Sequence, residues 1–150
     1  ELIVYQTLVL KKNIKDNYSH IIVDNSTDKE IRCQLYSYCK DNSMAYVGLP
    51  KNWSNKVGPS YSHATALNYA YKHIIKKREP YAFVFIDPDL FPIGSLSIIN
   101  KLDTQPVYGP LRLRDQWWYL SAILSFFRFD FVSVVLQRVK SMNLMYVFRR

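Results

Sequence analysis

Residues 81–86, Tyr-Ala-Phe-Val-Phe-Ile, form an unbroken apolar run between Pro80 and Asp87. A run of that length, rich in β-branched and aromatic residues, predicts a strand buried on both faces, as in a parallel sheet covered by helices. Such a strand demands partners and layers. It also discharges directly into Asp87-Pro88-Asp89, so two carboxylates are expected at its carboxyl end. In open α/β sheets that end is where ligands bind.

The flanking sequence supplies the layers. Residues 1–6 (ELIVYQ) are an apolar run suited to a first buried strand, and residues 18–24 (YSHIIVD) to a second that ends in the polar turn NSTD. Thr27 and Glu30 have capping-box spacing, and Ile31, Leu35, Tyr38 and Cys39 recur at helical intervals before Asp41 and Asn42. Residues 44–50 (MAYVGLP) read as a third strand. After the loop KNWSNKVGPS, Ala64, Leu67, Ala70, Tyr71, Ile74 and Ile75 form the stripe of a longer helix, with Lys76, Lys77 and Arg78 at its negative end and Pro80 beyond. A short helix over 94–102 and a strand over 106–113 follow the acidic turn. The alternation predicts a layered α/β fold with a mostly parallel central sheet. No repeat or Gly/Ser-rich linker divides the 150 residues, which suit one domain.

Residues 117–136 have the length of a membrane span, but Arg128 and Asp130 fall inside it, which disfavours a spanning helix. The expectation is a buried helix or loop over 117–127, a break at the charges, and a second amphipathic element running into Arg138 and Lys140. The basic end permits peripheral contact of 117–150 with a membrane surface. Cys33 and Cys39 lie on different faces of one predicted helix, so no disulfide framework is expected, and reducing, cytoplasmic surroundings are the default. The net charge of +8 attracts anions without choosing among nucleic acid, nucleotides, phospholipids and sugar phosphates. With 49% hydrophobic residues and 4 glycines, disorder and collagen-like structure are excluded.

Two carboxylates at i and i+2 can converge on one divalent ion and leave coordination positions for a diphosphate. Pro88 restricts Asp87 to an extended backbone. A solvated turn uses the same residues, so the pair alone leaves both readings open. The segments VDNSTD, NKVGPSYSHATALNYAYK and FVFIDPDLFP, taken together and in order, resemble the GT-A nucleotide-sugar glycosyltransferases, especially those of the family 2 type. The resemblance covers about residues 1–115. It implies a Rossmann-like GT-A fold, a nucleotide-binding part over 1–100, the start of an acceptor-side part over 101–150, and a C-terminus incomplete relative to the family.

Carried over to this chain, the resemblance implies that Asp24 accepts from uracil or a similar base, with Asn25 and Ser26 beside it. Gln6 and Thr7 match the nucleotide-side loop by position. Gly58, Ser62, His63 and Asn68 match the loop and helix start near ribose and phosphate, and Asp87 and Asp89 would hold Mn²⁺ or Mg²⁺ on the sugar diphosphate. Lys51 and Lys56 would add positive field. Asp115 is the local candidate for a catalytic base, and Trp117, Trp118 and Tyr119 for stacking on an acceptor sugar. The implied reaction moves a sugar from a nucleoside diphosphate sugar, UDP-sugar first, to a glycan or other hydroxyl acceptor, with no nucleic-acid partner. A nucleotidyltransferase would need a Gly-rich, Lys-containing loop after the first strand. A haloacid-dehalogenase-like phosphatase would carry its Asp pair on the first strand, with Thr or Val where Phe91 stands. A non-enzymatic basic module binding nucleic acid or a membrane surface explains the charge, but not the carboxylates at strand ends.

Overall fold

The computed structural model describes residues 2–50, 59–114, 117–120 and 124–138, and the side chains of most of them. The fold is mixed α/β and divides into two compact units, residues 17–77 and a second formed by the N-terminal helix together with the chain from Arg78 onward.

In the 17–77 unit, β1 (Ile21–Asp24) pairs in parallel with β2 (Ala45–Gly48), Ile21 opposite Ala45 and Asp24 opposite Gly48. Parallel neighbours need a crossover. It is α2 (Lys29–Asp41), which packs on β2 and buries Cys39 completely. The expected face holds in part, because Leu35 and Tyr38 are half-buried and Ile31 is exposed. The cap also differs from the expectation. Asp28 rather than Thr27 caps α2, its Oδ1 accepting from the backbone N–H groups of Glu30 at 2.8 Å and Ile31 at 3.3 Å. A carboxylate at that position satisfies two orphan donors and meets the positive helix end. Next come α3 (Pro59–Ala70), a π-helical turn (Tyr71–Ile75) and α4 (Lys76–Arg78), with Ala66, Ala70 and Tyr71 buried.

In the other unit the strand expected over residues 1–6 is replaced by a helix: the described part of that run belongs to α1 (Leu2–Asn13), whose buried residues are Gln6, Thr7 and Leu10. The apolar run continues through QTLVLKKN with no Gly or Pro, too long for a typical strand, and its burial follows helical spacing. The 81–86 run does form a strand, β3 (Ala82–Ile86), but in an antiparallel sheet. Its partner is β7 (Leu124–Arg128), with β4 (Val107–Tyr108) on the other side of β7. A mostly parallel central sheet is therefore not what the described strands form, because the strand beside β3 comes from downstream and runs the opposite way. Within the segment expected as a buried helix or loop over 117–127, the described residues 117–120 and 124–127 are strand as well. Here β5 (Leu111–Arg114) pairs antiparallel with β6 (Trp117–Leu120), and β7 is the central strand of its sheet. One expected strand over 106–113 is split into β4 and β5 at Gly109-Pro110. A side chain at Gly109 would lie 2.8 Å from Ser125 Oγ and 3.0 Å from the Leu124 carbonyl.

Aromatic rings make this core. Phe83 stacks on its cross-strand partner Phe127 at 5.1 Å and meets Phe85 edge-on at 5.5 Å. Phe126 and Phe127, neighbours on β7, are both buried, so this strand is covered on both faces. Helices α5 (Ile98–Thr104) and α6 (Phe129–Arg138) pack against β7 and contribute the buried Leu102 and Val132. The break expected at the charges is where α6 starts. Arg128 Nε donates to Asp130 Oδ1 at 2.8 Å, and the same oxygen accepts from the Phe131 N–H. Among the described residues no helix is long and apolar enough to cross a membrane.

Candidate functional site

The carboxyl ends of β1 and β2 carry one cluster. Asp24, the last residue of β1, is 6% exposed, and both of its oxygens are engaged. Oδ1 accepts from the Ser26 N–H at 2.8 Å, and Oδ2 from the Tyr46 hydroxyl at 2.7 Å. The first bond is local turn chemistry of an Asp, which bonds its own backbone two residues on. The second reaches across to β2. Burial, then the bond to and charge of Asp24, push the Tyr46 phenol up from 10.0 to about 12, although Arg32 opposes them. Behind the same strand, burial and then the negative charge of Asp24 push the Cys39 thiol up. Cys39 and Cys33 are both free thiols.

Sequence reasoning missed Arg32. Its Nη1 donates to the Ser26 carbonyl at 3.1 Å and the Leu49 carbonyl at 2.8 Å, tying together the chain leaving β1 and the chain leaving β2. Leu49 N–H closes the same region on the Asp24 carbonyl at 2.8 Å. Gly48 leaves room for the guanidinium, because a Cβ there would collide with Arg32 Nη2. The one local signal was the small residue at the end of β2. Asn25 Nδ2 donates to Ser62 Oγ at 2.9 Å, bringing two candidate residues together across 37 positions. Ser26 Oγ is shielded from solvent and has no hydrogen-bond partner among the described residues. His63 and Asn68 lie half-buried on α3. Gly58, with Lys51 and Lys56, lies outside the described residues.

The second cluster is the turn after β3. Leu90 N–H donates to the Asp87 carbonyl at 3.1 Å, closing a four-residue turn with Pro88 and Asp89 at its centre. Asp at the first and Pro at the second position are the residues such a turn favours. Asp89 is exposed and Asp87 half-buried. Gln6 and Thr7, expected at a strand end, lie on the buried face of α1, each 2% exposed. Gln6 Nε2 donates to the carbonyls of Asp87 at 2.6 Å and Leu90 at 3.0 Å, so the helix brings Gln6 to this turn by a route the sequence reading did not contain. Thr7 Oγ1 donates to the Ile3 carbonyl within α1.

Two carboxylates form a hard-oxygen donor set of the kind that suits Mg²⁺ or Mn²⁺ when diphosphate oxygens and water complete the shell. The side chains at Asp87 and Asp89 therefore fit a divalent cation carried with a diphosphate. Among the described residues no three His, Cys, Asp or Glu side chains gather as a self-sufficient metal site. Asp115 lies outside the described residues. Trp117, Trp118 and Tyr119 are placed on β6 opposite Arg114, Leu113 and Arg112, and their side chains are not among those described. A shallow cavity of about 230 Å³, lined by Tyr108, Gly109, Pro110, Leu124 and Phe126, contains none of the candidate residues. No family model, characterised protein or solved structure matches this chain.

Proposed function

We propose that this chain is a metal-dependent glycosyltransferase of the GT-A type, moving a sugar from a nucleoside diphosphate sugar, UDP-sugar first, to a glycan or other hydroxyl acceptor. The observation that carries the reading is the Asp87–Leu90 turn. It places two carboxylates within three residues at the end of a strand, one of them exposed. A divalent cation held by Asp87 and Asp89 would supply Lewis-acid neutralisation of the negative charge that grows on the leaving diphosphate.

The chain's own groups take separate tasks. Asp24, fixed in direction by Ser26 and Tyr46, keeps lone pairs on both oxygens for an N–H of the base, since an ionised carboxylate has about four acceptor sites. The buried Ser26 hydroxyl supports this reading, because a polar atom without a partner is costly unless a ligand or water engages it. Asn25 and Ser62, bonded to each other, serve the ribose side of the nucleotide. Asp115 is assigned the acceptor proton and Trp117, Trp118 and Tyr119 the acceptor sugar.

The test is calorimetry with UDP in the presence and absence of Mn²⁺, on the unaltered chain and on Asp87→Asn and Asp89→Asn. Binding that requires Mn²⁺ and is lost in both variants is expected. Metal-independent or unchanged binding removes the reading, and salt-sensitive duplex DNA binding with no response to any nucleotide sugar replaces it with a basic binding module.

A further inference from the structure

We propose that Gln6 is the positioning residue for the Asp87–Asp89 pair, holding the turn in the one backbone arrangement from which both carboxylates address a cation. The inference rests on the function proposed above and names a residue for it on an element remote in sequence.

The buried face of α1 carries an amide. An amide side chain that is 2% exposed must place its donors inside the protein, since a buried donor left unbonded loses its hydrogen bonds to water without replacement. Gln6 places them on two backbone carbonyls 81 and 84 residues away. Those carbonyls belong to Asp87 and Leu90, the first and last residues of the turn. Asp87 O therefore accepts from both Leu90 N–H and Gln6 Nε2, and the amide bridges the mouth of the turn. Gln6 grips carbonyls and not carboxylates, so the grip does not consume the acidic groups.

Two helical turns further along the same face, Asn13 repeats the device. Its Nδ2 donates to the Pro92 carbonyl, and its own carbonyl accepts from Leu96 N–H at 2.9 Å. Residues six and thirteen are seven apart, close to two full turns, so both amides point the same way. α1 thus splints the chain from Asp87 to Leu96, with Gln6 at the acidic end. Without the splint, two like charges two positions apart in a turn would splay, and a cation would have to supply the ordering cost itself.

Gln6→Met removes both donors at nearly constant volume. Free Mn²⁺ measured by electron paramagnetic resonance in the presence of UDP should report an affinity about tenfold weaker than that of the unaltered chain. Exchange of the Leu90 amide hydrogen should quicken in the metal-free protein. Leu10→Ala, on the same buried stripe but without a bond to the turn, is the control; it should lower Tm and leave the Mn²⁺ affinity unchanged. Gln6→Asn, which keeps an amide but falls one methylene short, should shift both readouts the same way should the Met variant not fold. Unchanged affinity and Leu90 exchange in a folded Gln6 variant, or a loss no larger than in Leu10→Ala, overturns the positioning role alone. An unaltered chain that takes up no Mn²⁺ with UDP overturns the function proposed above and this role with it.

Discussion

Residues 17–77 and the chain from Arg78 onward both place aspartate at the carboxyl end of a strand, Asp24 closing β1 and Asp87 following β3, and they treat it in opposite ways. In the first, two parallel strands joined through α2 bring their carboxyl ends side by side. Asp24 is buried there against the Ser26 N–H and a tyrosine hydroxyl from the neighbouring strand. In the second, β3 lies in an antiparallel aromatic sheet, and its following carboxylates enter a tight turn that leaves Asp89 exposed. A strand-end aspartate thus takes its role from how many of the protein's own donors lie within reach. Asp24 has been drawn into the architecture, whereas Asp89 meets water.

The sharpest contrast should come from the core that supports the turn. Phe127→Ala removes a ring stacked on Phe83 from a strand covered on both faces, and urea unfolding should show a loss of about 3–5 kcal/mol. A loss below about 1 kcal/mol would deny that this sheet holds the aromatic core.

A smaller effect tests the aspartates directly. Asp24→Ala leaves a half-buried hydroxyl and a backbone N–H without their acceptor and should cost about 1–3 kcal/mol. Asp89→Ala, at an exposed position, should stay within about 0.5 kcal/mol. Equal costs in the same denaturation experiment would erase the distinction between the two strand ends. In nucleotide binding, Asp24→Ala should weaken one nucleoside diphosphate more than the others.

The smallest expected effect is in pH dependence. Tyr46 ionises at about 12 in the folded chain against 10.0 for an unperturbed phenol, so the folded state holds its proton more tightly. The stability this confers is complete below pH 10 and is lost as pH rises toward 12. Tyr46→Phe should flatten the fall in Tm across that window. A fall as steep as in the unaltered chain would place its origin elsewhere.

Much of the 17–77 unit was legible because its signals are local. Val23 and Asp24 closing an apolar run, the polar stretch after them, the helical spacing into Cys39 and the short run at Ala45–Gly48 each act over a few residues. The capping residue was misplaced by one position because Thr27 and Asp28 are both competent caps, and only backbone geometry selects between them. In α1 the window ELIVYQ resembles a strand. Its apolar residues lie all round the helix, Val4, Tyr5 and Leu8 exposed and Leu10 buried, so no stripe announces the period. On β7, Phe126 and Phe127 are both buried, which removes the alternation that marks a strand.

The sequence by itself determined where β1, α2, β2 and β3 form, where the chain breaks before α6, and that carboxylates follow β1 and β3. Propensity, capping and turn chemistry operate within a turn or two of the chain, and these features need nothing more. Only the tertiary structure decided that β3 takes Leu124–Arg128 as its antiparallel neighbour, that Arg32 ties the ends of β1 and β2, and that Gln6 bonds the turn at Asp87. Each of those contacts joins residues brought together by burial of apolar surface, and a buried amide or guanidinium then takes whichever carbonyls the packing sets within reach.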